Sequence, residues 1–314
     1  MRRIDERIAD LRSHTRTMSN IGLVIPERPR DLGNFLVGRL LPFHSKRMVG
    51  PFIFIDHMGP VAMSEHDNFD VGPHPHIGLS TLTYLFEGAV MHRDSLGTAM
   101  EITPGAVNWM VAGSGIVHSE RTPERLRHTE KRMHGLQIWV ALPKQLEDIA
   151  PSFHHIDAKD LPSWEQDSAR FRLIAGEVMG HRSAVPVHSP LYLLEVSTTA
   201  GATIRIGEQL FGESGLYILE GTVTDDGMAH GPRQLLVAKD SARCSFQLAP
   251  GSTVYLFGGE PFPEERFIHW NFVATSPERL EAAKQRWMAG GFPMIDGEHD
   301  PVPLPGASWD RTDR

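Results

Sequence analysis

Gly72-Pro73-His74-Pro75-His76 and Gly113-Ser114-Gly115-Ile116-Val117-His118-Ser119-Glu120 decide how this chain is read, because each ends in two metal-type ligands spaced i, i+2. On a β-strand that spacing puts both side chains on one face and turns the intervening residue to the other. Two such pairs facing each other make a clamp of three imidazoles and one carboxylate. A single pair is a weak signal. With 17 histidines in 314 residues, roughly one His-x-His arises by chance, and His128-Thr129-Glu130 is a decoy of the same form.

The stretch between the pairs gives them a context. Thr81 to Phe86 is rich in β-branched and aromatic residues and ends at Glu87-Gly88. Ala89 to Arg93 then leads to the turn Asp94-Ser95-Leu96-Gly97, Met100 to Thr103 leads to Pro104-Gly105, and Ala106 to Ala112 leads to the Gly-Ser-Gly turn. Strand and turn alternate throughout, which predicts antiparallel sheet with the ligand pairs on its first and last strands.

Length and composition narrow the class. A chain of 314 residues is long enough for two domains, and 40% hydrophobic with 22% charged residues is globular. No apolar run approaches the ~20 residues of a membrane span. Met1 to Thr17 is too charged for a signal peptide. The single cysteine, Cys244, excludes an intrachain disulfide and a Cys-based zinc cluster, so a reducing, cytoplasmic setting is the simplest fit. A net charge of −8 argues against direct nucleic-acid binding. The most basic stretch, Arg121 to Arg132, is diluted by Glu124 and Glu130 and reads as a solvated loop.

Outside the central stretch, Ile4, Ile8 and Leu11 predict a short N-terminal amphipathic helix within residues 1–20. Residues 21–145 then form the ligand-bearing domain. His57 reads as a histidine satisfied by its own turn, or as a group behind the ligands. His154 and His155 are adjacent, so on a strand they point to opposite faces. Residues 146–314 read as a second copy: Tyr84 to Val90 recurs as Tyr217 to Val223 at an offset of 133, and Pro104-Gly105 has a counterpart in Pro250-Gly251. Carried across, His74 and His76 fall on Gly207 and Gln209, and His118 and Glu120 on Glu264 and Arg266, so the second copy is expected to lack a site. Near the end, Ser276, Pro277 and Glu278 start a helix that Gly290-Gly291 stops. The remainder, rich in Pro, Gly and Asp, is expected to wrap the surface or to be partly disordered.

A repeated strand-rich domain with His-x-His on one strand and a third His on a later one resembles a cupin, and two copies resemble a bicupin. Gly50 to Pro60, His74 to Gly78, His92 to Gly97 and Trp109 to Glu120 are similar, in order and spacing, to the signature of the pirin family. The similarity is dense over residues 50–142 and thinner beyond. It implies an all-β fold of two antiparallel β-barrel (cupin) domains, with short terminal helices, and one mononuclear iron(II) site in the first domain on His74, His76, His118 and Glu120. It also implies quercetin 2,3-dioxygenase activity on a flavonol or, alternatively, a non-enzymatic, iron-dependent redox regulator that binds a partner protein. The chain departs from the pattern at Ser80, where cupins carry a Glu, and at Ile268 to Val273.

The ligand types alone leave iron, manganese, nickel, copper and zinc open. Four protein ligands on an octahedral ion leave two positions free, which suits chemistry or sensing better than a closed structural site. Glu120 is then ligand, general base, or both in turn.

Overall fold

Alternating apolar residues separated by Gly- and Pro-containing turns build antiparallel sheet throughout the computed structural model, which describes residues 19–31 and 35–306. The predicted N-terminal helix lies outside the described residues. In the first half a seven-stranded sheet runs in the order Ser152–Ile156, Val107–Val111, Leu79–Glu87, Lys131–Ala141, Phe52–Met63, Leu36–Leu41, Arg28–Asp31. Opposite it lies a four-stranded sheet ordered Asp70–His76, Ile116–Arg121, Val90–Asp94, Ala99–Ile102.

The second half repeats this plan. Ile21–Pro26, Gln234–Ala238, Glu213–Glu220, Ser252–Gly259, Leu191–Thr198, Ala169–Val178 and Ser163–Gln166 follow one another in its large sheet. Its small sheet runs Ala202–Arg205, Ser245–Leu248, Val223–Asp225, Met228–His230. The expected barrels are thus each built as two separate sheets, and among the described residues no ladder of hydrogen bonds closes either pair into a barrel. The edge place that Ser152–Ile156 takes in the first large sheet is taken in the second by Ile21–Pro26, the first described strand of the chain.

The two large sheets pack against each other. Tyr84, Trp109 and Leu136 of one meet Tyr217, Leu235 and Phe257 of the other in a single apolar cluster, at about 1.5–3 kcal/mol for each such side chain taken out of water. Polar groups caught in this layer are paired: Glu195 Oε2 accepts from the hydroxyls of Tyr84 (2.9 Å) and Tyr255 (3.2 Å). His57 is satisfied here too, and not by its own turn as the sequence suggested. Its Nδ1 lies 2.7 Å from Glu27 Oε1 and its Nε2 lies 2.8 Å from His134 Nε2, partners 30 and 77 residues away.

The sheet order also corrects the alignment of the repeat. The strand corresponding to Ile116–Arg121 is Ser245–Leu248, so His118 and Glu120 have no counterpart in Glu264 and Arg266. The Pro-Gly pairs sit in different turns: Pro104-Gly105 precedes the strand Val107–Val111, whereas Pro250-Gly251 precedes Ser252–Gly259, whose counterpart is Lys131–Ala141. Where the first domain points ligands inward, the second fills its interior with Ile204, Phe246 and Leu248.

The helix Pro277–Met288 begins as expected, with the Ser276 hydroxyl accepting from Arg279 N (3.4 Å) and Pro277 at its start. Its buried residues Leu280, Ala283 and Trp287 share one face. That face, with Phe292, Ile295 and Leu304 of the following tail, packs on Ile77 and Val117 beside the ligand strands. No helix is long and apolar enough to cross a membrane among the described residues.

Candidate metal centre

Strand alternation and register bring the ligand types together. Ile116–Arg121 lies antiparallel to Asp70–His76 with His118 opposite His74 and Ile116 opposite His76. The register then slips, so that Glu120 faces Val71, which places a β-bulge at Gly72-Pro73. Proline suits a bulge because it has no ladder N–H to leave unpaired. Gly72 is required by a close approach: a Cβ there would meet the carbonyl oxygen of Asp300 in the tail at 2.5 Å. The bulge turns the Gly72 carbonyl towards His74 Nδ1, 2.9 Å away.

Groups beside and between the ligands face outward and hold the helix and tail. Val117 joins the helix cluster, the Ser119 hydroxyl donates to Glu298 (2.7 Å), and the Pro73 carbonyl accepts from Val302 N (2.8 Å).

His74, His76 and His118 are buried, and their ligand nitrogens lie within 4.8 Å of one another, the one such group among the described residues. Each ring is fixed through Nδ1. That of His74 meets Gly72 O, that of His76 meets Asn271 O at 3.1 Å, and that of His118 meets His92 Nδ1 at 3.4 Å. Nε2 is left as the ligand atom on each ring, the arrangement in which metal-binding histidines are normally held. His118 Nε2 is buried with no hydrogen-bond partner. Burial holds the His74 imidazole down at about 4, and burial with neighbouring imidazoles holds His76 and His118 well below the ordinary histidine range. All three are therefore neutral near pH 7 and offer lone pairs, so the residues fit a divalent metal.

Glu120 lines the same cavity but stands outside the three-imidazole group. Burial raises its carboxyl above the usual range, partly offset by the Thr83 hydroxyl 3.3 Å from Oε1. That hydroxyl also lies 2.9 Å from Gln137 Oε1 and, with one proton, donates to one oxygen at a time. Ser80 faces the other way. Thr83 and Leu85 look into the first domain, whereas Leu82 and Tyr84 pack in the layer between the sheets, so the parity of this strand carries position 80 away from the ligands. The decoy residues His128 and Glu130 are exposed. His155 Nδ1 pairs with Asn108 Oδ1 and His154 Nε2 with Ser152 Oγ.

The cavity above the imidazoles measures about 520 Å³, with Phe35, Phe54, Phe69, Trp139 and Trp270 in its walls. Phe54 stacks on Trp139 at 4.0 Å, and Trp139 meets His76 edge-on. Arg39 forks onto Asp56 with two 2.8 Å bonds at the polar side. Trp270 and Asn271 form the tip of a hairpin, Phe267–His269 with Phe272–Ala274, that comes from beyond the second large sheet. The sequence marks that segment by its departure from the family pattern, a departure that bears on contacts near the mouth or between domains, and Trp270 and Asn271 stand in the cavity wall. Sequence reasoning passed over His92 and Asp94, although His92-x-Asp94 has the ligand spacing.

Comparison with known proteins agrees with this architecture. The pirin family model matches residues 34–140, and the model for the pirin C-terminal cupin domain matches residues 193–293. A pirin-like protein of Caulobacter vibrioides is 50% identical over 289 residues, covering 91% of this chain and 99% of that protein. The crystal structure of a quercetin 2,3-dioxygenase from Acinetobacter baumannii has a TM-score of 0.83 and 35% identity, covering 91% of this chain and 95% of that one. A bacterial pirin from Escherichia coli, solved in complex with nickel(II), shares the fold at a TM-score of 0.60 and 20% identity, with 76% of this chain and 99% of that one covered. Both halves are thus cupin-type domains, and the chain belongs to the pirin family.

Proposed function

We propose that the chain is a metal-dependent dioxygenase of the quercetin 2,3-dioxygenase type, which opens a flavonol with dioxygen. The observation that carries this reading is the convergence of three neutral, buried imidazoles at an open cavity with aromatic walls. Its volume of about 520 Å³ falls in the roughly 300–1,000 Å³ range of small-molecule sites. His74, His76 and His118 hold one divalent ion through Nε2, with Glu120 as fourth ligand; iron(II) is the ion proposed. When bound, the ion supplies Lewis acidity towards the flavonol 3-hydroxyl.

The chain's own groups do the rest. Glu120, made more basic by burial, accepts the 3-hydroxyl proton, and Thr83 orients its carboxylate. The aromatic walls receive planar rings and limit water, while Arg39, Asp56 and Gln137 offer hydrogen bonds to ring hydroxyls. Oxygen uptake and carbon monoxide release by iron-loaded protein with a flavonol panel tests the proposal. Uptake with at least one flavonol, lost in His76→Ala, is expected. If fully iron-loaded protein consumes no oxygen, yet its iron state alters binding to a partner protein, the regulator reading replaces the enzyme.

A further inference from the structure

The strand Val90–Asp94 lies on the other side of Ile116–Arg121, with Asp94 opposite His118 and His92 opposite Glu120. His92 and Asp94 share the i, i+2 spacing of the ligand pairs and are buried at 4% and 1% exposure. Asp94 Oδ1 accepts from the backbone N–H groups of Leu96 (2.9 Å) and Thr98 (3.1 Å), which close the following turn. Its Oδ2 faces His92 Nε2 at 3.0 Å, and His92 Nδ1 faces His118 Nδ1 at 3.4 Å. The His92 ring is held flat against Phe153, 4.5 Å between centroids.

Proton placement along this chain follows from its ends. A carboxylate that accepts two backbone N–H groups is an acceptor for a third donor, so His92 carries its proton on Nε2. In the neutral ring Nδ1 is then bare and accepts from His118 Nδ1–H. His118 is left with its lone pair on Nε2, the buried nitrogen that has no partner in the protein. We propose that Asp94 and His92 are positioning residues for the metal centre: a buried carboxylate–imidazole relay that fixes His118 in its ligating tautomer and strengthens it as a donor. This rests on the reading of His74, His76 and His118 as metal ligands. Outer partners of metal-bound histidines act in this way when the carboxylate is in direct contact; here a second imidazole stands between.

Asp94→Asn separates this role from a purely structural one. The amide oxygen still accepts from Leu96 and Thr98, but its N–H now faces His92 Nε2 and reverses the chain. His92 then donates through Nδ1, and the His118 proton is driven onto Nε2, where the metal binds. Nickel(II) affinity, measured by chelator competition, is expected to fall by about 10–100-fold, and the midpoint potential of the iron-loaded form to rise as the negative charge is lost. Near-UV circular dichroism of the metal-free variant should match wild type. His92→Phe, which removes the acceptor, is expected to weaken nickel binding similarly, and His92→Gln, whose carbonyl can accept from His118, to restore part of it. This pair decides the matter if Asp94→Asn does not fold. Wild-type nickel affinity and iron potential in folded Asp94→Asn, or equal affinities in His92→Phe and wild type, overturn the relay alone. Wild-type protein that binds no nickel overturns the metal reading, and the relay with it.

Discussion

Replacing Glu298 by Gln tests how the C-terminal tail is tied to the ligand strand. Glu298 Oε1 accepts from the Ser119 hydroxyl at 2.7 Å, and Oε2 accepts from Arg121 Nε and Nη2 at 3.0 and 2.7 Å. Ser119 and Arg121 are the outward residues on either side of Glu120, so the carboxylate grips the back of the strand that carries a proposed ligand. Glu298→Gln removes the charge and sets an amide N–H against the guanidinium. Hydrogen bonds to charged groups contribute about 1.5–3 kcal/mol. Arg121 keeps Asp300 as a partner at 2.7 Å, so no cation is stranded and the loss stays near about 2 kcal/mol. That energy makes release of the tail about 30-fold more frequent. The reporter is the Val302 amide, which donates to Pro73 O. Its hydrogen exchange should quicken by about 30-fold, while the Leu236 amide in the second large sheet keeps its rate. Unchanged exchange at Val302, or equal acceleration at both amides, refutes the view that this carboxylate pins the tail locally.

Three other outcomes are expected. His76→Ala should weaken metal binding by at least about 10–100-fold, while Glu130→Ala in the exposed decoy pair leaves metal content unaltered by elemental analysis. Glu120→Gln should retain some metal yet lose turnover by about 10²–10⁴-fold in oxygen-uptake assays, because an amide cannot take up the substrate proton. Metal-free protein should lose stability in acid: His74 titrates near 6.5 unfolded but at about 4 folded, so between these values the unfolded chain binds more protons. For this group alone the loss reaches about 3 kcal/mol by pH 4, and thermal melts should show a shallower pH slope in His74→Gln than in wild type.

What the sequence disclosed here was local parity, and what it concealed was pairing over distance. The i, i+2 spacing in His74-x-His76 and His118-x-Glu120 fixes a shared face whatever the strand pairs with, so the three imidazoles were legible. The recurrence of Tyr84 to Val90 at Tyr217 to Val223 likewise marks equivalent strands, and the helix after Ser276 follows from its caps. Other features depend on residues far apart in the chain. His57 meets Glu27 and His134, Asn271 supports His76 across 195 positions, and Ile21–Pro26 pairs with Gln234–Ala238. One error was of register: a Pro-Gly turn occurs at more than one place in such a domain, which misplaced Glu264 and Arg266. The tail contact that requires Gly72 shows only when the chain end is folded onto the bulge.

The most direct measurement is anomalous scattering from crystals of iron-loaded protein at the iron absorption edge. One peak per chain, bounded by the imidazoles of His74, His76 and His118 with the Glu120 carboxylate at the same ion, is the predicted result. A peak in the second domain near Gln209, two peaks per chain, or iron bound with the three imidazoles unengaged would contradict the account.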